Sequence, residues 1–171
     1  ETLRLPPDRV PGTGHLDVRL AATALTGLDG ALQHLFAYPY GCIEQQTSRI
    51  RPLLLAPDLV DAIGLTLPFE SRGAAIANWH DDLSRFWTGE GFAMWPGSTV
   101  AQPYLTGYVV LALAEAADAG FPAPQSLTQN ALNALASWVR NPSARPDYYS
   151  DAVWADTRAL MLYALARHGR V

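Results

Sequence analysis

One cysteine stands in the 171 residues, Cys42, and Gln45 follows three positions later. Residues three apart at the start of a helix share one face, so this spacing sets a thiol against a primary carboxamide. Pro39 and Gly41 allow the tight backbone turn that would place Cys42 at a helix N-terminus. The unpaired N–H groups there carry partial positive charge and favour a thiolate. A thiolate beside a primary amide can displace ammonia and close an intramolecular thioester. The Gln45 acyl carbon would then be a stored electrophile. Taken alone, the spacing says little, since a single cysteine at a helix start is more commonly a small, half-buried apolar residue. Nor does one cysteine report a redox compartment, because it can form no internal disulfide.

The surrounding string says more. Tyr38-Pro39-Tyr40-Gly41-Cys42-Ile43-Glu44-Gln45, followed by Thr47, Ser48 and Arg49, closely resembles the thioester signature of bacterial alpha-2-macroglobulins. It is similar, more distantly, to the Gly-Cys-Gly-Glu-Gln of complement components and animal macroglobulins; Ile43 sits where the bacterial branch usually carries an apolar residue. Two further blocks follow in the family's order. Gln102-Pro103-Tyr104-Leu105-Thr106-Gly107-Tyr108-Val109-Val110 resembles the helix after the motif, and residues 156–166 resemble a later Arg-Ala-Tyr-Ala-Leu-Tyr type of helix.

The resemblance implies an all-α fold: residues 25–171 as the first half of a thioester-containing α/α toroid, with residues 1–24 as a connector and a strand of an adjoining CUB-like domain. It implies a single-turnover protease trap rather than an enzyme. Cleavage of a bait region elsewhere exposes the thioester, and an amine or hydroxyl of the protease attacks the acyl carbon of Gln45, freeing the Cys42 thiol. No cofactor or metal is required. The implied partners are target proteases and neighbouring domains, and the implied location is the periplasm, with a lipid anchor outside this chain. Tyr38, Tyr40, Gly41 and Glu44 form the surroundings of the bond. The tyrosines have an ordinary packing role and a possible second one, keeping water from the bond; Glu44 at least complements the helix dipole.

One departure bears on the chemistry. Some complement thioester domains carry a histidine, a little over a hundred residues after the cysteine, that relays the acyl group to hydroxyls. The corresponding residues 147–158 contain Asp147, Asp151 and Asp156 but no histidine, so direct attack by amines is expected. By default those aspartates are loop residues or caps, and Asp151 fits an N-cap. Two rivals remain: a non-reactive scaffold or docking module of the same family, and a cysteine hydrolase, for which only His34 or His80 could serve as base.

The elements that must hold these residues are helical. After the Pro- and Gly-rich residues 1–14, residues 15–23 alternate as one strand does. From Gly27 the period becomes that of a helix, with Leu28, Leu32, Leu35 and Phe36 on one face. A break at 38–41 precedes a helix from about Cys42 to Leu55, which Pro52 bends or shortens. Helices are expected over 57–65, 69–87, 103–119, 124–140 and 152–168, with a turn-rich loop or small hairpin at 89–97. Trp79, Trp87, Trp95, Phe92 and Met94 read as core. In half a toroid, apolar residues such as Leu105, Val109 and Leu113, or Leu160, Leu162 and Leu165, are expected to be partly uncovered and to drive self-association. The last segment is still helical in pattern where the sequence stops, as an excerpt would be.

Composition sets outer limits. Net charge is −4, and all twelve basic residues are arginines with no run among them. Nucleic acid, which needs clustered cations, is an unsuitable partner. No stretch reaches the roughly 18 apolar residues of a membrane span. Charged residues are 16% of the chain, against about 25% in an average globular protein, which suits a surface partly covered by neighbouring domains.

Overall fold

Residues 8, 10, 12–14, 27–38, 41–64 and 67–170 are described by a computed structural model. The strand expected at 15–23 and the packing expected of Tyr40 lie outside them. The described residues form seven α-helices: α1 (Leu28–Ala37), α2 (Ile43–Leu55), α3 (Pro57–Ile63), α4 (Arg72–Leu83), α5 (Pro103–Asp118), α6 (Gln125–Arg140) and α7 (Asp151–Arg167). Short 3₁₀ turns follow α4 and α6. The fold is all-α, as the periodicity predicts. None of these helices is long and apolar enough to cross a membrane.

Local chemistry sets most boundaries. Pro57 and Pro103 open α3 and α5 at positions where no N–H is needed. Gly64 ends α3 in the left-handed conformation. Ser71 caps α4 by accepting the Ala74 N–H, so this helix starts later than the apolar period suggests. Ser150, not Asp151, caps α7 and accepts the Val153 N–H at 3.2 Å; Asp151 is the first helical residue, where its charge still complements the dipole. Pro52 lies inside α2, which continues to Leu55, and the Ala56 N–H returns to the Pro52 carbonyl.

Helix α5 is the hub, packed against α2, α6 and α7. Leu105, Val109, Val110, Leu111 and Leu113 are all buried, each such side chain stabilising the fold by about 1.5–3 kcal/mol. The expectation that Leu105, Val109 and Leu113 would be uncovered therefore fails, because three neighbouring helices already enclose α5. Gly107 allows the close approach of α7: a Cβ there would stand 3.4 Å from side-chain atoms of Leu160 and Met161. On α7, Leu165 is buried and Leu160 half-buried, while Leu162 is exposed.

The loop between α4 and α5 ties the start of α2 to the hub. It turns tightly through a bridge between Trp87 and Phe92. The Phe92 N–H donates to Thr106 Oγ1 at 2.9 Å, and the Phe92 carbonyl accepts the Gln102 N–H at 2.8 Å. Two residues on, the Met94 carbonyl accepts the Ile43 N–H at 3.1 Å. The first turn of α2 is thus held in register with the first turn of α5. Trp79 and Phe92 are core and Trp87 is half-buried, but Met94 and Trp95 are exposed, against expectation. Their backbone follows the turn outward, and an aperiodic loop gave no sign of it.

Candidate functional site

Cys42 is the N-cap residue of α2, extended at φ −65° and ψ 158°, and buried. Its side chain and that of Gln45 form a reciprocal cap. The Cys42 sulfur accepts the Gln45 backbone N–H, and Gln45 Oε1 accepts the Cys42 backbone N–H at 3.4 Å. The arrangement satisfies two orphan donors of the helix start in the manner of a Ser/Thr and Glu/Gln capping pair. It also lays the thiol and the carboxamide against the same turn, with a backbone donor on the carbonyl oxygen of the acyl group.

Gly41 provides room rather than an unusual backbone angle. Its φ is not positive, but a Cβ would lie 2.8 Å from Gln46 Nε2, which donates to the Gly41 carbonyl at 3.2 Å. The glycine lets the Gln46 side chain fold back over the chain just ahead of Cys42.

The pair separates two cavities. One, of about 470 Å³, lies between α1 and α2 and is lined by His34, Leu35, Tyr38, Gly41, Gln45 and Arg49, among others. Tyr38 meets the His34 ring edge-on at 5.8 Å. The other, of about 410 Å³, is mainly apolar and has Cys42, Glu44, Met94, Tyr104, Tyr149 and Thr157 in its wall. Gln45 therefore faces one side and Cys42 the other. Burial pushes the Tyr149 hydroxyl above its ordinary value of 10, partly opposed by a hydrogen bond with the Tyr104 backbone.

Glu44 belongs to a connected set of polar groups that the sequence reading missed. Ser48 Oγ lies 2.6 Å from Glu44 Oε1 and 2.8 Å from the Tyr108 hydroxyl. Since Ser48 has one proton and gives it to the carboxylate, Tyr108 donates to Ser48. Arg51 lies over the Tyr108 ring at 5.1 Å and makes a two-pronged pair with Glu115, at 2.8 and 2.7 Å. Its pKa is raised, first by the Glu115 bond and then by Tyr108, against the opposing effect of burial. The i, i+4 spacing of Glu44 and Ser48 was readable; the partners on α5 were not.

The described histidines, His34, His80 and His168, fall away from the sulfur. None lines the cavity on which Cys42 opens. His34 lines the opposite one, and the side chain of His80 is buried against Trp79 on α4. A cysteine–histidine hydrolase finds no support in this geometry. Of the residues 147–158, Tyr149, Val153 and Thr157 line the Cys42 cavity, offering a phenol, an isopropyl group and a hydroxyl but no imidazole.

The chain matches no family model. It is 33% identical over 125 residues to alpha-2-macroglobulin of Xylella fastidiosa, covering 70% of this chain and 8% of that protein. It is 32% identical over 146 residues to the alpha-2-macroglobulin homolog of Yersinia pestis, covering 83% of this chain and 7% of the relative. Salmonella alpha-2-macroglobulin superposes with a TM-score of 0.70 at 27% identity, over 85% of this chain and 10% of that one. The chain corresponds to a segment of the bacterial alpha-2-macroglobulin family. It spans under a tenth of the length of the curated relatives it matches. Within that family the seven helices are part of an α/α toroid. The Salmonella structure is of a protein reacted with methylamine.

Proposed function

We propose that this alpha-2-macroglobulin segment carries the reactive bond of a protease trap, an internal thioester between the Cys42 sulfur and the Gln45 acyl carbon. The observation that carries the proposal is the reciprocal cap: sulfur and carboxamide are seated on one turn, each held by the other's backbone N–H. The Cys42 N–H on the acyl oxygen is placed to stabilise the oxyanion that develops when a nucleophile adds to that carbon, an effect commonly worth 10²–10³ in rate. Relatives of this segment are protease inhibitors, and one was solved reacted with a small amine. Residues 25–171 then belong to the thioester domain, in a periplasmic protein that holds other domains against it.

Tyr38, in the wall of the Gln45 cavity, shields the acyl carbon from water. Small amines reach the bond from the other cavity, which Cys42 and Glu44 line, and a protease lysine follows once neighbouring domains withdraw. The test is capture of a trypsin-like protease by the full-length protein, read as a denaturant-resistant conjugate. Cys42→Ala should abolish the conjugate while the domain stays folded. Conjugate formed equally by the C42A protein would overturn the assignment, and the absence of conjugate from either would favour a non-reactive scaffold.

A further inference from the structure

The thioester reading leaves one chemical demand unmet. An amine that adds to an acyl carbon must lose a proton, and the departing sulfur must gain one. We propose that Glu44 carries this proton: its carboxylate takes it from the attacking nitrogen and returns it to the Cys42 sulfur.

Glu44 lies two residues from Cys42 in the first turn of α2, and both line the cavity of about 410 Å³ that runs back to Tyr104 and Tyr149. The carboxylate is seated by Ser48 at 2.6 Å, and Ser48 by the Tyr108 hydroxyl at 2.8 Å. Tyr108 is itself held on α5, stacked on Tyr104 at 6.3 Å and covered by Arg51. Arg51, the nearest cation in this set, is already engaged by both oxygens of Glu115. Among the described residues no cation pairs with Glu44, and its carboxylate is oriented by the neutral Ser48 hydroxyl. Glu44 is the catalytic residue in this scheme; Ser48 and Tyr108 are positioning residues that act through it.

The step balances. The amine nitrogen forms a bond to the Gln45 acyl carbon as the carbon–sulfur bond breaks, its electron pair going to sulfur. The proton leaving nitrogen passes to Glu44 and then to the thiolate. The products are an amide at Gln45 and a free Cys42 thiol, with no other reactant consumed.

This inference rests on the thioester reading, and the experiment separates the two. Intact mass is measured first on full-length protein, unsubstituted and as Glu44→Gln and Tyr108→Phe. The rate of opening by methylamine is then followed through thiol release, with and without added formate. E44Q should retain the mass deficit of one ammonia and open roughly 10²-fold more slowly, the usual contribution of a positioned proton acceptor. Y108F should slow less. Formate, a carboxylate small enough for the cavity, should speed E44Q and leave the unsubstituted protein unchanged. E44Q opening as fast as the unsubstituted protein, or slow opening that formate does not relieve, overturns the proton-carrier role. A missing deficit in the unsubstituted protein overturns the thioester reading itself, and this step with it.

Discussion

Arg51 on α2 and Glu115 on α5 meet through two hydrogen bonds, at 2.8 and 2.7 Å, across the helix pair that carries the candidate site. The Glu115 side chain is 5% exposed and that of Arg51 26%. A charge so enclosed is stabilising only while its partner is present, since each ion has given up most of its water. Glu115→Ala would leave the guanidinium half-enclosed over Tyr108 with nothing to neutralise it. We expect a loss of about 2–4 kcal/mol, toward the lower part of the range for a broken buried pair because Arg51 keeps some contact with water. Denaturant unfolding of the two proteins reads it directly. A loss within the few tenths expected of a surface pair would show that the α2–α5 interface does not depend on this contact.

The His80 side chain is buried against Trp79, and burial lowers its pKa below the ordinary 6.5, partly opposed by Asp81. The unfolded chain therefore takes up this proton at a pH where the folded chain does not. The stabilising contribution is fully present above pH 6.5 and is lost as pH falls from there through the lower folded value. His80→Gln removes that term, so stability should fall less in H80Q than in the unsubstituted protein between pH 7 and pH 5. Parallel pH dependence in the two proteins would mean that His80 is protonated as easily folded as unfolded.

Gly91 sits where the α4–α5 loop passes under α6. A Cβ there would stand 2.5 Å from the Trp138 indole, 2.9 Å from Thr106 Oγ1 and 3.2 Å from Ala101 Cβ. An indole ring cannot bend away, and Thr106 is the acceptor that anchors Phe92. Gly91→Ala should cost about 1–3 kcal/mol as an overpacked core does, seen as a lowered thermal midpoint. An unchanged midpoint would mean that the loop shifts freely and does not hold the start of α2.

How much of this was legible in the sequence depended on how local its causes are. The bounds of α5, α6 and α7 fall within about a residue of those the apolar period and flanking prolines suggest, because caps and breakers act within one turn. The pairing of Cys42 with Gln45 was equally local. The Tyr108–Ser48 and Arg51–Glu115 contacts join residues 60 and 64 apart, and no period announces such a pair. Burial misled in both directions for the same reason. Leu105, Val109 and Leu113 are covered by helices distant in sequence, while Met94 and Trp95, apolar by type, ride a loop turned to solvent.

Nucleophile choice follows from the wall around the sulfur. Tyr149, Val153 and Thr157 line the cavity on which Cys42 opens, and none of these side chains forms an acyl-imidazole intermediate. After activation of the full-length protein, competing methylamine and glycerol should give almost entirely the amide. Efficient glycerol ester would point to a relay from elsewhere, His34 in the Gln45 cavity being the first to replace.

The central claim is a covalent bond between Cys42 and Gln45, and intact mass of the native full-length protein tests it most directly. The mass should fall short of the sequence value by one ammonia, with no titratable thiol at Cys42. Methylamine should remove the deficit by adding one amine at Gln45 and release one thiol. A mass equal to the sequence value, with Cys42 titratable before treatment and no adduct afterwards, would contradict the claim and leave the reciprocal cap as a helix cap alone.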